Sequence, residues 1–162
     1  MPLGDAYLEL IAVVDDAEAA KSPVGRWVAE AQPRRPLGWC VRTNRLDDVV
    51  RRLDLTVIPV SRTTPDGRLF RGRIAGLEQA AAEQSLPFFI ERGEGAQFPG
   101  SAPATHRSGS VRIAGLEVSG DADRLADWLG PHALPITIRA GKPAVASIVL
   151  TADAGEIALD EL

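Results

Sequence analysis

The sequence has one cysteine, two histidines and only 5% aromatic residues among its 162 positions. Cys40 alone can form neither an internal disulfide nor a thiolate metal site, so we expect a reducing, cytoplasmic location. The longest apolar run, Leu10 to Val14, is far shorter than the roughly 18 residues that a membrane-spanning helix needs. No basic stretch followed by an apolar one opens the chain, as a secretory leader would require. These absences argue against a secreted or membrane protein.

The remaining composition is typical of a globular domain, with 45% hydrophobic and 25% charged residues and a mean hydropathy of -0.02. The net charge of -4 is unevenly distributed along the chain. Residues 31–75 contain ten arginines and four aspartates and so carry a net charge of +6, and the remaining residues carry -10. Sixteen arginines against two lysines fit a genomic codon preference. A block of one sign also suits an anion site. Because no nucleic-acid-binding motif accompanies it, we expect no nucleic-acid partner.

The hydrophobic pattern predicts strands interleaved with amphipathic helices. Apolar residues recur at i, i+3, i+4 and i+7 over 45–53, after the good N-cap Asn44, and predict a helix there. The sequence Pro65-Asp66-Gly67 predicts a turn that joins two strands into a hairpin. Further helices are predicted at 24–31 and 121–129, and strands at 6–14, 37–43, 56–63, 69–75, 86–92, 111–119, 134–140, 143–151 and 156–159.

The two halves of the chain repeat the same element order. A shift that superposes Leu53 on Leu129 also superposes Val49 on Leu125 without a gap. This match predicts an α+β fold in which paired βαβββ units form a cupped mixed sheet with helices on the outer face. The predicted division is a partial unit over 1–36, a complete unit over 37–92, a linker over 93–109 and a second unit over 110–162.

Several motifs accompany this element order: Tyr7-Leu8-Glu9-Leu10-Ile11, Trp39-Cys40-Val41-Arg42-Thr43 followed by Leu46-Asp47-Asp48, Ser61-Arg62-Thr63-Thr64-Pro65-Asp66-Gly67, and Leu86-Pro87-Phe88-Phe89-Ile90-Glu91. Together they resemble the glyoxalase-like domain branch of the vicinal oxygen chelate superfamily. The resemblance covers nearly the whole chain and implies the fold. It implies no single reaction, because the superfamily includes lyases, isomerases, ring-cleaving dioxygenases and metal-free antibiotic-binding proteins.

The resemblance also concerns the start of the chain. Members of this branch normally begin with an Asp-His-containing strand, a helix and a further strand before the Tyr-Leu-Glu-Leu segment, which here follows Met1 to Asp5 directly. It thus implies that the opening unit is missing, either because the true start lies upstream or because this is a short form. In a short form the predicted strand 6–14 would be an apolar edge, and such edges associate. We therefore expect a homodimer or a larger assembly.

A divalent metal is one cofactor that the resemblance suggests. In metal-dependent members a His or Gln on the first strand of a unit and a Glu on its last strand are the ligands, and Glu91 and Glu9 resemble that terminal Glu. The histidine positions do not match. Two carboxylates without a histidine are a poor set for a divalent ion, which needs three or more converging ligands.

Strand alternation gives candidate ligand-binding residues, because residues i and i+2 share a face. We predict that Phe88 and Ile90 pack on a helix, while Phe89 and Glu91 point into an open cup. By the same spacing Arg71 and Arg73 share a face and could hold a carboxylate or phosphate through bidentate hydrogen bonds. In the same site, Trp39 is a candidate to stack against an aromatic ligand. Glu91 is a candidate general base or polar anchor.

Three functions remain open from the sequence. The leading hypothesis is a protein that holds a small organic molecule, anionic if the arginines contact it, in the cup between the units, with no cofactor. Small-molecule sites favour such concave surfaces. The alternatives are a metal-dependent lyase or dioxygenase that uses Glu91 and Glu9, and a catalytically inactive interaction protein.

Overall fold

The computed structural model describes residues 1–31, 35–63, 67 and 69–160. Within these residues it contains two four-stranded mixed sheets and five short helices. The predicted α+β class is therefore confirmed. Contacts divide the chain into two compact parts: Gly38–Ala96, which we call the continuous unit, and Met1–Leu37 with Gln97–Leu162, which we call the split unit.

The regular elements follow one another along the chain with short connections. The helices are α1 (Asp16–Ala19), α2 (Pro23–Glu30), α3 (Leu46–Leu53), α4 (Leu77–Ala82) and α5 (Ala122–Leu129), with a 3-10 turn at Pro99–Ser101. The strands are β1 (Cys40–Arg42), β2 (Val57–Thr63), β3 (Leu69–Ala75), β4 (Phe88–Arg92), β5 (Arg112–Ser119), β6 (Ile136–Arg139), β7 (Ala144–Ala152) and β8 (Gly155–Leu159).

The continuous unit contains the first sheet, in the order β1-β4-β3-β2. Strands β2 and β3 pair antiparallel from Val57↔Ala75 to Thr63↔Leu69, which confirms the predicted hairpin. Its turn residues 64–66 and 68 lie outside the described residues, whereas Gly67 has the positive φ of +83° that a turn glycine provides. Strand β1 pairs parallel with β4 at the opposite edge of the sheet from β2.

Helix α3 packs against β3 and β4 of this sheet. The helix packs there through its predicted apolar stripe. Leu46, the first residue of the stripe, is fully buried, and the remaining residues, Val49, Val50 and Leu53, are partly buried. The N-cap residue is Arg45 rather than the predicted Asn44, and the Arg45 side chain makes no capping hydrogen bond. The helix ends at Asp54, which adopts a left-handed conformation with φ +52°.

The split unit contains the second sheet, in the order β6-β5-β7-β8. Helix α5 connects the parallel neighbours β5 and β6. The side chain of Asp121 accepts a hydrogen bond from the Arg124 N–H and caps this helix. Leu125 and Trp128 bury its apolar face.

Both sheets begin with the series β-α-β-β, but α4 precedes the fourth strand of the first sheet, and the two strand orders differ. In the first sheet α4 separates β3 from β4, so the chain has room to place β4 between β3 and β1. In the second sheet β7 and β8 are joined by a tight turn at Asp153 and Ala154, and β8 therefore pairs with β7 at the sheet edge.

The predicted strand at 6–14 is wrong, since the structure assigns no strand to these residues. A single antiparallel bridge joins Pro2 to Tyr7. Leu3, only 3% exposed, anchors this N-terminal turn, whereas Leu10 and Val14 are 92% and 97% exposed. Strand propensity describes how side chains fit a paired sheet, and it specifies a strand only where a neighbour supplies the pairing.

Candidate functional site

One face of the first sheet carries the predicted charged residues. Residues paired directly across antiparallel strands share a face, and Pro59, Arg73 and Glu91 form such a row across β2, β3 and β4. Ser61 pairs with Arg71 one repeat further along the same face. The sheet register therefore brings three of the predicted site residues, Arg71, Arg73 and Glu91, onto one surface.

Arg73 is the centre of an ion network on this surface. Its Nε donates to Glu91 Oε2 at 2.9 Å, and its Nη2 also contacts that carboxylate. Its Nη1 donates to Asp47 Oδ1 at 2.9 Å, and Nη2 donates to Asp47 Oδ2 at 3.3 Å. The Asp47 carboxylate first, and then that of Glu91, raise the pKa of the Arg73 guanidinium above its ordinary value. Two edges of the guanidinium thus hold two carboxylates.

Glu91 also contacts the first turn of α3. Its Oε1 lies 3.4 Å from the backbone nitrogen of Leu46, which donates the hydrogen bond. The first N–H groups of any helix lack intrahelical acceptors, and the N-cap residue Arg45 supplies none through its side chain. A carboxylate on β4 therefore partly takes the place of a side-chain cap, where the positive end of the helix dipole favours a negative charge.

A shallow depression of about 570 Å³ lies beside this network. Its volume is within the range of small-molecule sites, roughly 300–1,000 Å³. Arg71 is exposed, and within the described part of the chain its guanidinium has no hydrogen-bond or ion-pair partner. The residues that line the depression are Pro59, Val60, Ser61, Arg71, Gly72, Arg73, Glu91, Arg92 and Gly93.

Strand β4 carries Phe89 and Glu91 on one face, which we expected to be an open cup. The structure shows that this face is partly covered, because Glu91 contacts the first residue of α3. Phe89 shares that face and is only 2% exposed, so it belongs to the core rather than to the lining of the depression. Alternation shows which residues share a face, but the helix that covers that face is set by the tertiary fold.

Trp39 is not among the residues that line the depression. Its indole Nε1 donates to the backbone oxygen of Ser85 at 3.2 Å, and the ring is partly buried. A buried indole usually finds such a partner.

Asp47 and Ser61 were not identified as site residues from the sequence. Residues 31–75 contain ten arginines and four aspartates, and this composition indicates that an aspartate such as Asp47 could pair with an arginine.

The residues present do not fit a divalent metal ion. The Glu91 carboxylate is occupied by Arg73 and the Leu46 N–H, and a bound guanidinium excludes a second cation from the same oxygens. Glu9, the other predicted ligand, is exposed and belongs to the split unit. Among the described residues no three His, Cys, Asp or Glu side chains are grouped so that they could hold a metal.

Across the described residues, no helix is long and apolar enough to cross a membrane.

The comparisons with known proteins give one family. No curated protein and no solved structure matches the chain. The family model of the glyoxalase-like domain, in the vicinal oxygen chelate superfamily, matches residues 1–133, which include the first sheet, β5 and α5. Members of that superfamily often use a divalent metal. The match confirms the resemblance seen in the sequence: the chain belongs to the glyoxalase-like domain family.

Proposed function

We propose that this protein binds a small organic monoanion, a carboxylate in the simplest case, in the depression on the first sheet. The observation that carries the proposal is the exposed guanidinium of Arg71, which lines the depression and has no partner among the described residues. A guanidinium presents paired N–H donors that match a carboxylate in bidentate geometry. The Ser61 hydroxyl, directly across the strand pair, offers a neutral hydrogen bond to the same ligand.

The charge of the site favours a monoanion over a dianion. The side chains of Arg73, Asp47 and Glu91 together carry one negative charge, and Arg71 adds one positive charge on the same face. A monocarboxylate brings only the one negative charge that Arg71 can pair with, whereas a phosphate dianion brings a second charge that Arg71 does not compensate.

In this proposal Glu91 is a positioning residue. Its carboxylate accepts three hydrogen bonds from the protein, one on Oε1 from the Leu46 N–H and two on Oε2 from Arg73. Glu91 thereby fixes the guanidinium of Arg73 against the sheet beside the ligand.

Titration with benzoate tests the proposal, with inorganic phosphate as the comparison anion. We expect benzoate to perturb the ¹H–¹⁵N signals of the continuous unit and to bind more tightly than phosphate at neutral pH. Arg71→Gln should weaken benzoate about tenfold, because a charge-assisted hydrogen bond contributes roughly 1.5–3 kcal/mol.

The matched control is Arg112→Gln, which removes an exposed strand arginine from the split unit. It should leave the benzoate affinity unchanged. Equal benzoate affinity of the wild type and Arg71→Gln would contradict the proposal, as would an equal loss in both variants.

A further inference from the structure

The carboxylate of Asp47 occupies the part of the Arg73 guanidinium that faces away from Glu91. We infer that Asp47 is a built-in competitor of the ligand: it binds Arg73 in the manner of a ligand carboxylate and is displaced when the ligand engages both arginines. This inference rests on the proposed carboxylate site and adds the residue that limits its affinity.

The hydrogen-bond donors of Arg73 give the first argument. A guanidinium has five N–H groups, of which Nε–H and one Nη2–H point to Glu91, while one Nη1–H and the other Nη2–H point to Asp47. A single Nη1–H remains. A further carboxylate can therefore bind Arg73 in bidentate geometry only after Asp47 or Glu91 leaves.

Exposure and contacts decide which carboxylate leaves. The side chain of Asp47 is 62% exposed, and that of Glu91 is 23% exposed. Glu91 makes the additional hydrogen bond with the Leu46 backbone, so its departure also removes an acceptor from the start of α3. Exposed ion pairs contribute little, because water solvates both charges well when they separate. Asp47 is thus the partner that a ligand replaces.

Arg71 gives the ligand its first contact. Because Arg71 and Arg73 lie two residues apart on one strand, their side chains share a face and can converge on one ligand. Once Arg71 holds the carboxylate, its replacement of Asp47 on Arg73 is an intramolecular step, so the ligand has a high effective concentration beside Arg73. Asp47 then returns when the ligand departs, and Arg73 keeps two anionic partners in either state.

The test compares Asp47→Asn with Asp48→Asn. Asp48 is the next residue on α3 and bonds to Arg45, with Nε at 2.6 Å, and to Arg51 instead of Arg73. Both variants remove one negative charge from the same helical turn, so they change the surrounding field similarly. Only Asp47→Asn removes the competitor, although its amide oxygen can still accept one hydrogen bond.

We expect Asp47→Asn to bind benzoate roughly two- to fivefold more tightly than the wild type, as the loss of an exposed ion-pair competitor predicts. Asp48→Asn should bind it as the wild type does. Benzamide, which has the same ring but no charge, should gain nothing from either variant. Thermal unfolding of the free proteins establishes that all variants are folded.

The outcomes separate the two proposals. If the wild type binds benzoate through Arg71 and Asp47→Asn binds it no more tightly, the competition is refuted and the binding site stands. An equal gain in Asp47→Asn and Asp48→Asn attributes the effect to net charge and also refutes the competition. If neither the wild type nor Asp47→Asn binds benzoate, both proposals fail.

Discussion

The backbone N–H of Leu46, the first residue of α3, lies 3.4 Å from Oε1 of Glu91 on β4. This contact joins a helix start to a strand 45 positions further along the chain. Glu91 also holds Arg73 on β3, so one carboxylate connects three elements of the continuous unit. The same residue is the one that the family resemblance suggested as a metal ligand.

Replacement of Glu91 should therefore lower stability. Glu91→Gln keeps an acceptor for Leu46 but loses the charge that binds Arg73, and we expect a cost of about 1 kcal/mol, because the pair is partly solvated. Glu91→Ala loses both contacts and should cost roughly 2 kcal/mol. Urea denaturation measures both values.

Glu94→Gln is the matched control, since Glu94 is exposed just beyond the same strand. It should change stability by less than about 0.5 kcal/mol. Elemental analysis of the same samples after incubation with zinc or manganese should show no ion that depends on Glu91. A stoichiometric divalent ion that is present in the wild type and absent from Glu91→Gln would overturn our assignment of this carboxylate.

Replacement of Asp54 by glycine should stabilise the protein. Its φ of +52° places a residue with a Cβ in the left-handed region at the end of α3, where glycine is the usual choice. Asp54→Gly should raise the free energy of unfolding by about 0.5–1 kcal/mol through relief of that conformation. It also removes a negative charge from the negative end of the helix dipole.

Asp54→Asn separates the two causes, because it removes the charge and retains the Cβ. We expect a gain of only about 0.3 kcal/mol from this control. Thermal unfolding of the two variants beside the wild type gives the comparison. A lower melting temperature for Asp54→Gly would show that the left-handed conformation is not a cost in this helix.

Replacement of Gly100 by alanine should destabilise the split unit. A Cβ at this position would lie 2.3 Å from the backbone oxygen of Ala6 and 2.4 Å from the Phe98 ring. The Gly4 N–H donates to the Gly100 oxygen at 2.9 Å, so a displaced backbone would also disturb that bond. We expect Gly100→Ala to cost about 1–3 kcal/mol, the usual range for overpacking.

Gly115→Ala is the control for this substitution, because the nearest atom to its added Cβ is 3.8 Å away. It should be neutral within about 0.5 kcal/mol. Amide hydrogen exchange at Gly4 should accelerate in Gly100→Ala and remain unchanged in Gly115→Ala. Equal exchange at Gly4 in all three proteins would mean that the N-terminal turn does not depend on the close approach at Gly100.

The local elements were predictable where a short stretch of sequence carries its own physical signal. The apolar spacing of α3 and the Pro-Asp-Gly sequence that predicts a hairpin are local patterns, and both α3 and the antiparallel pair β2–β3 are present in the structure. The segment 6–14 has equally apolar residues but no strand, because pairing depends on a neighbour that the sequence does not specify.

The candidate site was predictable only as a set of shared faces. The spacing of Arg71 and Arg73 places them together, and the register brings Glu91 beside Arg73. The contribution of Asp47 depends on where α3 crosses the sheet, which no local pattern determines. Phe89 was misplaced for the same reason, since alternation alone does not identify the face that the helix covers.

The position of β1 has a consequence for how the first sheet assembles. Among the described strands this three-residue strand pairs only with β4, which begins at Phe88, whereas β2 and β3 follow each other closely. Loop closure over a longer span costs more entropy, so the hairpin should form before β1 joins β4. By the same reasoning β1 should be the first strand of this sheet to separate in local opening, with the hairpin intact.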